Sequence, residues 1–179
     1  MLNFTIPKRT ELFLWTLVPA ALTLLLLLLC TIPKHLWGIS AIMPILPLTS
    51  IFYWGRIKST EIPFWFAFVI GLLMDSVSGM PLGISALLYM VFLVALHSRS
   101  KHLQNQGFMF IWWYFAVLLA IFCTLQFIIM SLYDDQIFSF VPAFLQWLIT
   151  AGLYPLLHKL FDNLAEKCQH RRWFLTIIR

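Results

Sequence analysis

Gly71-Leu72-Leu73-Met74-Asp75-Ser76-Val77-Ser78-Gly79-Met80-Pro81-Leu82-Gly83 lies in the middle of an apolar run from Ile62 to Leu96. That run is about twice the length of one membrane crossing, which needs roughly 20 apolar residues. Asp75 is the only carboxylate inside it, and a charge at bilayer depth costs about 2.5–3.5 kcal/mol on insertion scales. Gly71, Gly79, Gly83 and Pro81 mark a place where the backbone turns or packs closely. The stretch therefore predicts a helical hairpin, with one arm rising from Pro63, a turn over Ser78–Gly83 and a second arm returning to Leu96. Asp75 then either holds the turn or offers a site to a ligand or partner.

Composition fixes the class. The chain of 179 residues is 61% hydrophobic and 11% charged, with mean hydropathy +0.89, whereas soluble domains carry about 25% charged residues. An all-α integral membrane protein follows, a six-helix transmembrane bundle forming a single membrane domain over 1–179. The spans are expected at about 12–31, 36–54, 62–78, 80–96, 108–132 and 137–157. The first is expected to be an uncleaved helix, since no small-residue cleavage site follows Thr31. Pro44 and Pro47 should kink the second span and Pro155 the sixth, because proline removes a helix hydrogen bond. Such breaks persist in a membrane only where neighbouring helices cover the freed carbonyls. Gln126 and Gln146 are expected to face other helices for the same reason.

The distribution of charge tests this count. With the N-terminus in the cytoplasm and six crossings, 11 of the 12 basic residues lie inside and only Lys34 outside, as the positive-inside rule requires. Reading 62–96 as one crossing gives 4 inside and 8 outside. The hairpin must return to the side it left. Beyond it, 158–179 reads as a basic amphipathic continuation of the last span on the inner leaflet, where Arg171, Arg172 and Trp173 form a patch for lipid headgroups or a cytoplasmic partner.

The net charge of +5 is spread between apolar segments, so it points to lipid rather than nucleic acid. Cys30, Cys123 and Cys168 are widely spaced and give neither a disulfide framework nor a zinc pattern. His97 and His102 fall in an expected basic loop, 97–107. The sequence has no HExxH, no phosphate loop and no paired intramembrane carboxylates, so catalytic residues, cofactors and metals are expected to be none.

At the hairpin the sequence resembles the MreD family of bacterial rod shape-determining membrane proteins. That family's pattern, approximately G-x-x-x-D-x-x-S-G-x-x-x-G, falls on Gly71, Asp75, Ser78, Gly79 and Gly83, followed by Ala86-Leu87-Leu88-Tyr89. A proline before the middle of span two (Pro44) and the proline-bearing end Tyr154-Pro155-Leu156-Leu157-His158-Lys159 also resemble the family. The resemblance implies a non-enzymatic scaffold of the cell-elongation machinery in the bacterial inner membrane, with both termini cytoplasmic. It implies an MreC-like partner and, through it, the MreB cytoskeleton, RodA and a transpeptidase of peptidoglycan synthesis. Gly71, Asp75, Ser78, Gly79, Pro81 and Gly83 would be the partner-binding or structural hairpin. The family's fold is similar to the substrate-binding subunits of energy-coupling-factor transporters. A vitamin-type binding subunit with a membrane pocket near Asp75 is therefore the alternative.

Overall fold

The computed structural model describes residues 8–31, 44–57, 62–103, 106–133 and 140–177. These form six helices, α1 (Lys8–Thr31), α2 (Leu46–Ile57), α3 (Phe64–Ser78), α4 (Ile84–Leu103), α5 (Phe108–Tyr133) and α6 (Val141–Ile177), with no strand among the described residues. α3 and α4 are the most closely associated pair. Phe64 meets the His97 ring at 5.5 Å at one end of the pair, and Asp75 meets Gly83 and Ser85 at the other. The two helices are therefore antiparallel, and the chain does turn back on itself between Ser78 and Ile84.

α2 is the central element, packing on α1, α4 and α6. Leu48, Ile51 and Phe52 are fully buried. Phe52 lies 4.9 Å from the Phe115 ring of α5, and Phe115 stacks on Tyr154 of α6 at 4.4 Å. Contacts of this geometry add about 0.5–1.5 kcal/mol each beyond area burial, which matters where lipid removes the usual hydrophobic drive between helices. The outer faces are apolar too, with Leu87, Val91, Val117, Ile121 and Leu156 all exposed. α5, 26 residues long, is the one described helix both long and apolar enough to cross a bilayer by length and composition. Pro19–Cys30, Phe64–Ser78 and Ile84–Ser100 are shorter apolar helices.

Several expected boundaries shift. Pro44 precedes α2 rather than lying inside it, and Pro47 falls in its first turn. A missing N–H there removes no helix bond, so neither proline is a mid-helix kink. The stretch 36–43, expected to belong to the second span, lies outside the described residues. The 97–107 loop is shorter than expected because α4 carries His97 and His102 within its last turns. α6 runs on without a break to Ile177. The side chains of Arg171, Arg172 and Trp173 lie outside the described residues, as does the 134–139 connection.

Pro155 does sit inside α6. It has no N–H for the carbonyl of Ala151, four residues earlier. The indole Nε1 of Trp112 on α5 donates to that oxygen at 3.0 Å. A second repair lies before α2, where the Ile45 N–H donates to Thr150 Oγ1 at 3.1 Å. Both bonds come from neighbouring helices, the arrangement a broken helix needs where water is scarce.

Candidate functional site

The hairpin turn is built residue by residue from the Gly71–Gly83 stretch. α3 ends at Ser78, and Gly79 takes the left-handed conformation at φ 71°, sending its N–H back to the Asp75 carbonyl. The Met80 N–H reaches the same oxygen at 3.2 Å. Gly83 has φ 106°. Side chains rarely adopt either backbone conformation, and a Cβ at either glycine would meet nothing within 4 Å. Backbone conformation, not space, is what makes glycine necessary at both positions.

Asp75 faces inward from the last turn of α3 and is fully buried. Its Oδ2 accepts the Gly83 N–H at 2.8 Å and its Oδ1 accepts the Ser85 N–H at 3.0 Å. The first N–H groups of a helix have no partner within the helix. Asp75 thus caps α4 from across the turn, as a local N-cap residue would, and its oxygens lie where the helix dipole favours negative charge. Gly71, one turn below Asp75 on the same face, brings the helices together. A Cβ there would come within 2.5 Å of Ala86 Cα and 2.8 Å of Ala86 N. Two backbones in contact leave no side chain able to yield.

The remaining hairpin residues lie outside this buried core. Ser78 is exposed at the end of α3, and Pro81 is half-buried in the turn, where its carbonyl accepts the Ile84 N–H at 3.5 Å. Gln126 of α5 is buried and its Nε2 donates to Met80 Sδ at 3.1 Å, tying α5 to the turn.

A second polar cluster joins α2 to α6 at the opposite end of the bundle. Tyr53 donates to Asp162 Oδ1 at 2.6 Å. His158 Nδ1 lies 2.8 Å from Asp162 Oδ2, and its Nε2 is 3.4 Å from Arg56 Nη2. The pairs Tyr53/Arg56 and His158/Asp162 sit at i,i+3 and i,i+4 helical spacing, which placed each pair on one face. Nothing in the sequence showed that the two faces meet.

These positions lie within a recognisable pattern. Residues 9–164 match the family description of rod shape-determining protein MreD. The chain belongs to the MreD family. The match spans the hairpin, the aromatic core and the α2–α6 cluster alike. MreD is a membrane family with a structural part in rod shape determination, not known as an enzyme, and acts in a shape-determining complex with other proteins. No curated protein and no solved structure matches the chain.

Proposed function

We propose that this chain is a non-enzymatic scaffold of the cell-elongation machinery, crossing the inner membrane six times with both termini in the cytoplasm. It binds an MreC-like partner and so links the MreB cytoskeleton, RodA and a transpeptidase to peptidoglycan synthesis. The observation that supports this reading most is the use of Asp75. The one carboxylate in a long apolar run has both oxygens engaged by backbone N–H groups at the start of the next helix. Its chemistry goes into shaping a hairpin. The exposed apolar faces of α3 and α4, with Leu72 and Leu87 on them, and Leu82 in the turn between, offer the partner a firm surface at membrane depth. The basic extension of α6 is proposed to lie along the inner leaflet. The alternative, a vitamin-type binding subunit with a membrane pocket near Asp75, is less favoured because each carboxyl oxygen already accepts a backbone N–H.

The test is co-purification of the full chain with the MreC-like protein, alongside rescue of rod growth in cells lacking the native copy. Asp75→Asn sets an NH2 against a backbone N–H and costs about 1–3 kcal/mol, so unfolding midpoint, complex recovery and rod shape should fall together. Leu87→Trp alters only the outer face and should leave the unfolding midpoint unchanged while reducing recovery of the partner. Normal complex recovery from both variants would remove the hairpin from the partner surface.

A further inference from the structure

The α2–α6 cluster carries an inference that goes beyond the scaffold reading. His158 stands between a cation and an anion on two different helices. On one side its Nδ1 is 2.8 Å from Asp162 Oδ2. On the other its Nε2 is 3.4 Å from the Arg56 guanidinium. Arg56 can only donate, so Nε2 must accept, and the proton of a neutral ring must sit on Nδ1, directed at Asp162. One tautomer of one charge state satisfies both contacts. The ring is held in place by aromatic edges from three helices, with Tyr53 at 5.3 Å, Phe108 at 5.0 Å and Tyr154 at 5.6 Å. Among the described residues, the titratable and charged groups facing it are Arg56 and Tyr53 from α2 and Asp162 and Tyr154 from α6. α5 contributes Phe108, which does not titrate.

We propose that His158 is a proton-sensitive latch between α2 and α6. While neutral, it bridges Arg56 to Asp162 and fixes the direction in which α6 leaves the bundle. Protonation adds a hydrogen to Nε2, opposite the Arg56 donors, and places two positive charges side by side. The Asp162 contact survives and the Arg56 contact does not. The Tyr53–Asp162 bond and the Tyr53–Phe161 ring contact at 5.1 Å remain between α2 and this end of α6, and the extension of α6 toward Ile177 gains freedom.

Burial, the largest influence, and Arg56 hold the His158 ring below its ordinary value of 6.5, while Asp162 opposes them. A depressed folded value means that the unfolded chain takes up the proton first. The latch is thus fully closed above pH 6.5, and its contribution is lost as pH falls from there through the folded value.

The experiment uses the full chain in lipid nanodiscs with ring-labelled histidine. His158 is assigned by its loss in His158→Gln, and nitrogen and carbon shifts are followed from pH 8 to about pH 5, across the ordinary histidine range. The expected result is an Nδ1–H tautomer at high pH. Arg56→Gln should raise the midpoint by about 1 pH unit and Asp162→Asn should lower it by about the same amount, as neighbouring charges do. Hydrogen exchange in 158–165, corrected for its intrinsic pH dependence, should rise on acidification in the parent chain and stay flat in His158→Gln. An Nε2–H tautomer in the parent chain, or exchange that ignores pH while His158 titrates, would overturn the latch. Should His158→Gln fail to fold, His158 is assigned in the parent chain by sequential backbone correlation, and the tautomer still decides the test.

Discussion

At the residue scale, the motif glycines divide into two kinds that sequence cannot tell apart. Gly71 is required because Ala86 backbone lies 2.5 Å from where its Cβ would be. Gly79 and Gly83 are required because their φ values are 71° and 106°, with open space around both. The two kinds should respond differently to substitution. Gly71→Ala forces α3 and α4 apart and is expected to lower stability by about 1–3 kcal/mol, the range for overpacking. Gly79→Asn should be nearly tolerated, because asparagine accepts the left-handed region at a helix end. Gly79→Val should cost more than Gly79→Asn for the same backbone reason. Gly83→Asn should not be spared, since 106° lies beyond that region. Thermal unfolding of the purified variants in one detergent orders them. Equal losses at Gly71 and Gly79 for alanine and asparagine would show that the two sites do not differ in this way. Asp75 was legible as an anomaly, a carboxylate in an apolar run. Its partners were not, because Gly83 and Ser85 act through backbone N–H groups that every residue but proline shares.

At the scale of the elements, proline and tryptophan are coupled. Pro155 leaves the Ala151 carbonyl without its helical donor, and Trp112 supplies one at 3.0 Å. Trp112→Phe keeps the ring and loses the donor, leaving a buried carbonyl bare at about 1–3 kcal/mol. Pro155→Ala restores the helix N–H, so the same Trp112→Phe change should then cost much less. A double-mutant cycle on unfolding free energy should return a coupling of about 0.5–3 kcal/mol; additive effects would mean that the indole bond contributes nothing. The sequence shows Pro155 and requires that something cover the break, but hydropathy does not say which of the eight tryptophans does so. Helix starts were harder still. In sequence, proline at 44 and 47 reads as an interruption inside a span; that α2 starts between them goes with the Ile45 N–H finding Thr150, more than a hundred residues away. The end of α4 ran past its expected limit because His97 can sit with its ring against Phe64, so polar residues at a helix end did not mark a loop.

At the scale of the whole molecule, charge and packing speak to the same question from independent directions. The basic residues distribute 11 to 1 only if 62–96 returns to its starting side. The contacts of Phe64 with His97 and of Asp75 with Ser85 make that segment an antiparallel pair. Neither observation fixes depth. α3 has 15 residues, about 22 Å at 1.5 Å per residue, against a hydrocarbon core of about 30 Å. The pair must therefore thin the bilayer, be met by other chains, or stop short of the far surface. Reporter fusions separate orientation from depth. A fusion ending after Lys58 or Gln104 should be active only with a cytoplasmic reporter, and one ending after His35 or Asp135 only with a periplasmic one. A periplasmic signal after Gln104 would overturn the hairpin topology outright. Depth is then read from single cysteines placed at Leu82 and Tyr133 in a chain lacking Cys30, Cys123 and Cys168. If the turn reaches water, a membrane-impermeant thiol reagent added outside labels both equally. If the turn stops within the membrane, Tyr133 labels and Leu82 does not, and co-expression of the MreC-like partner leaves that difference in place. A Leu82 site that labels alone but is protected when the partner is present would put the partner over the turn itself.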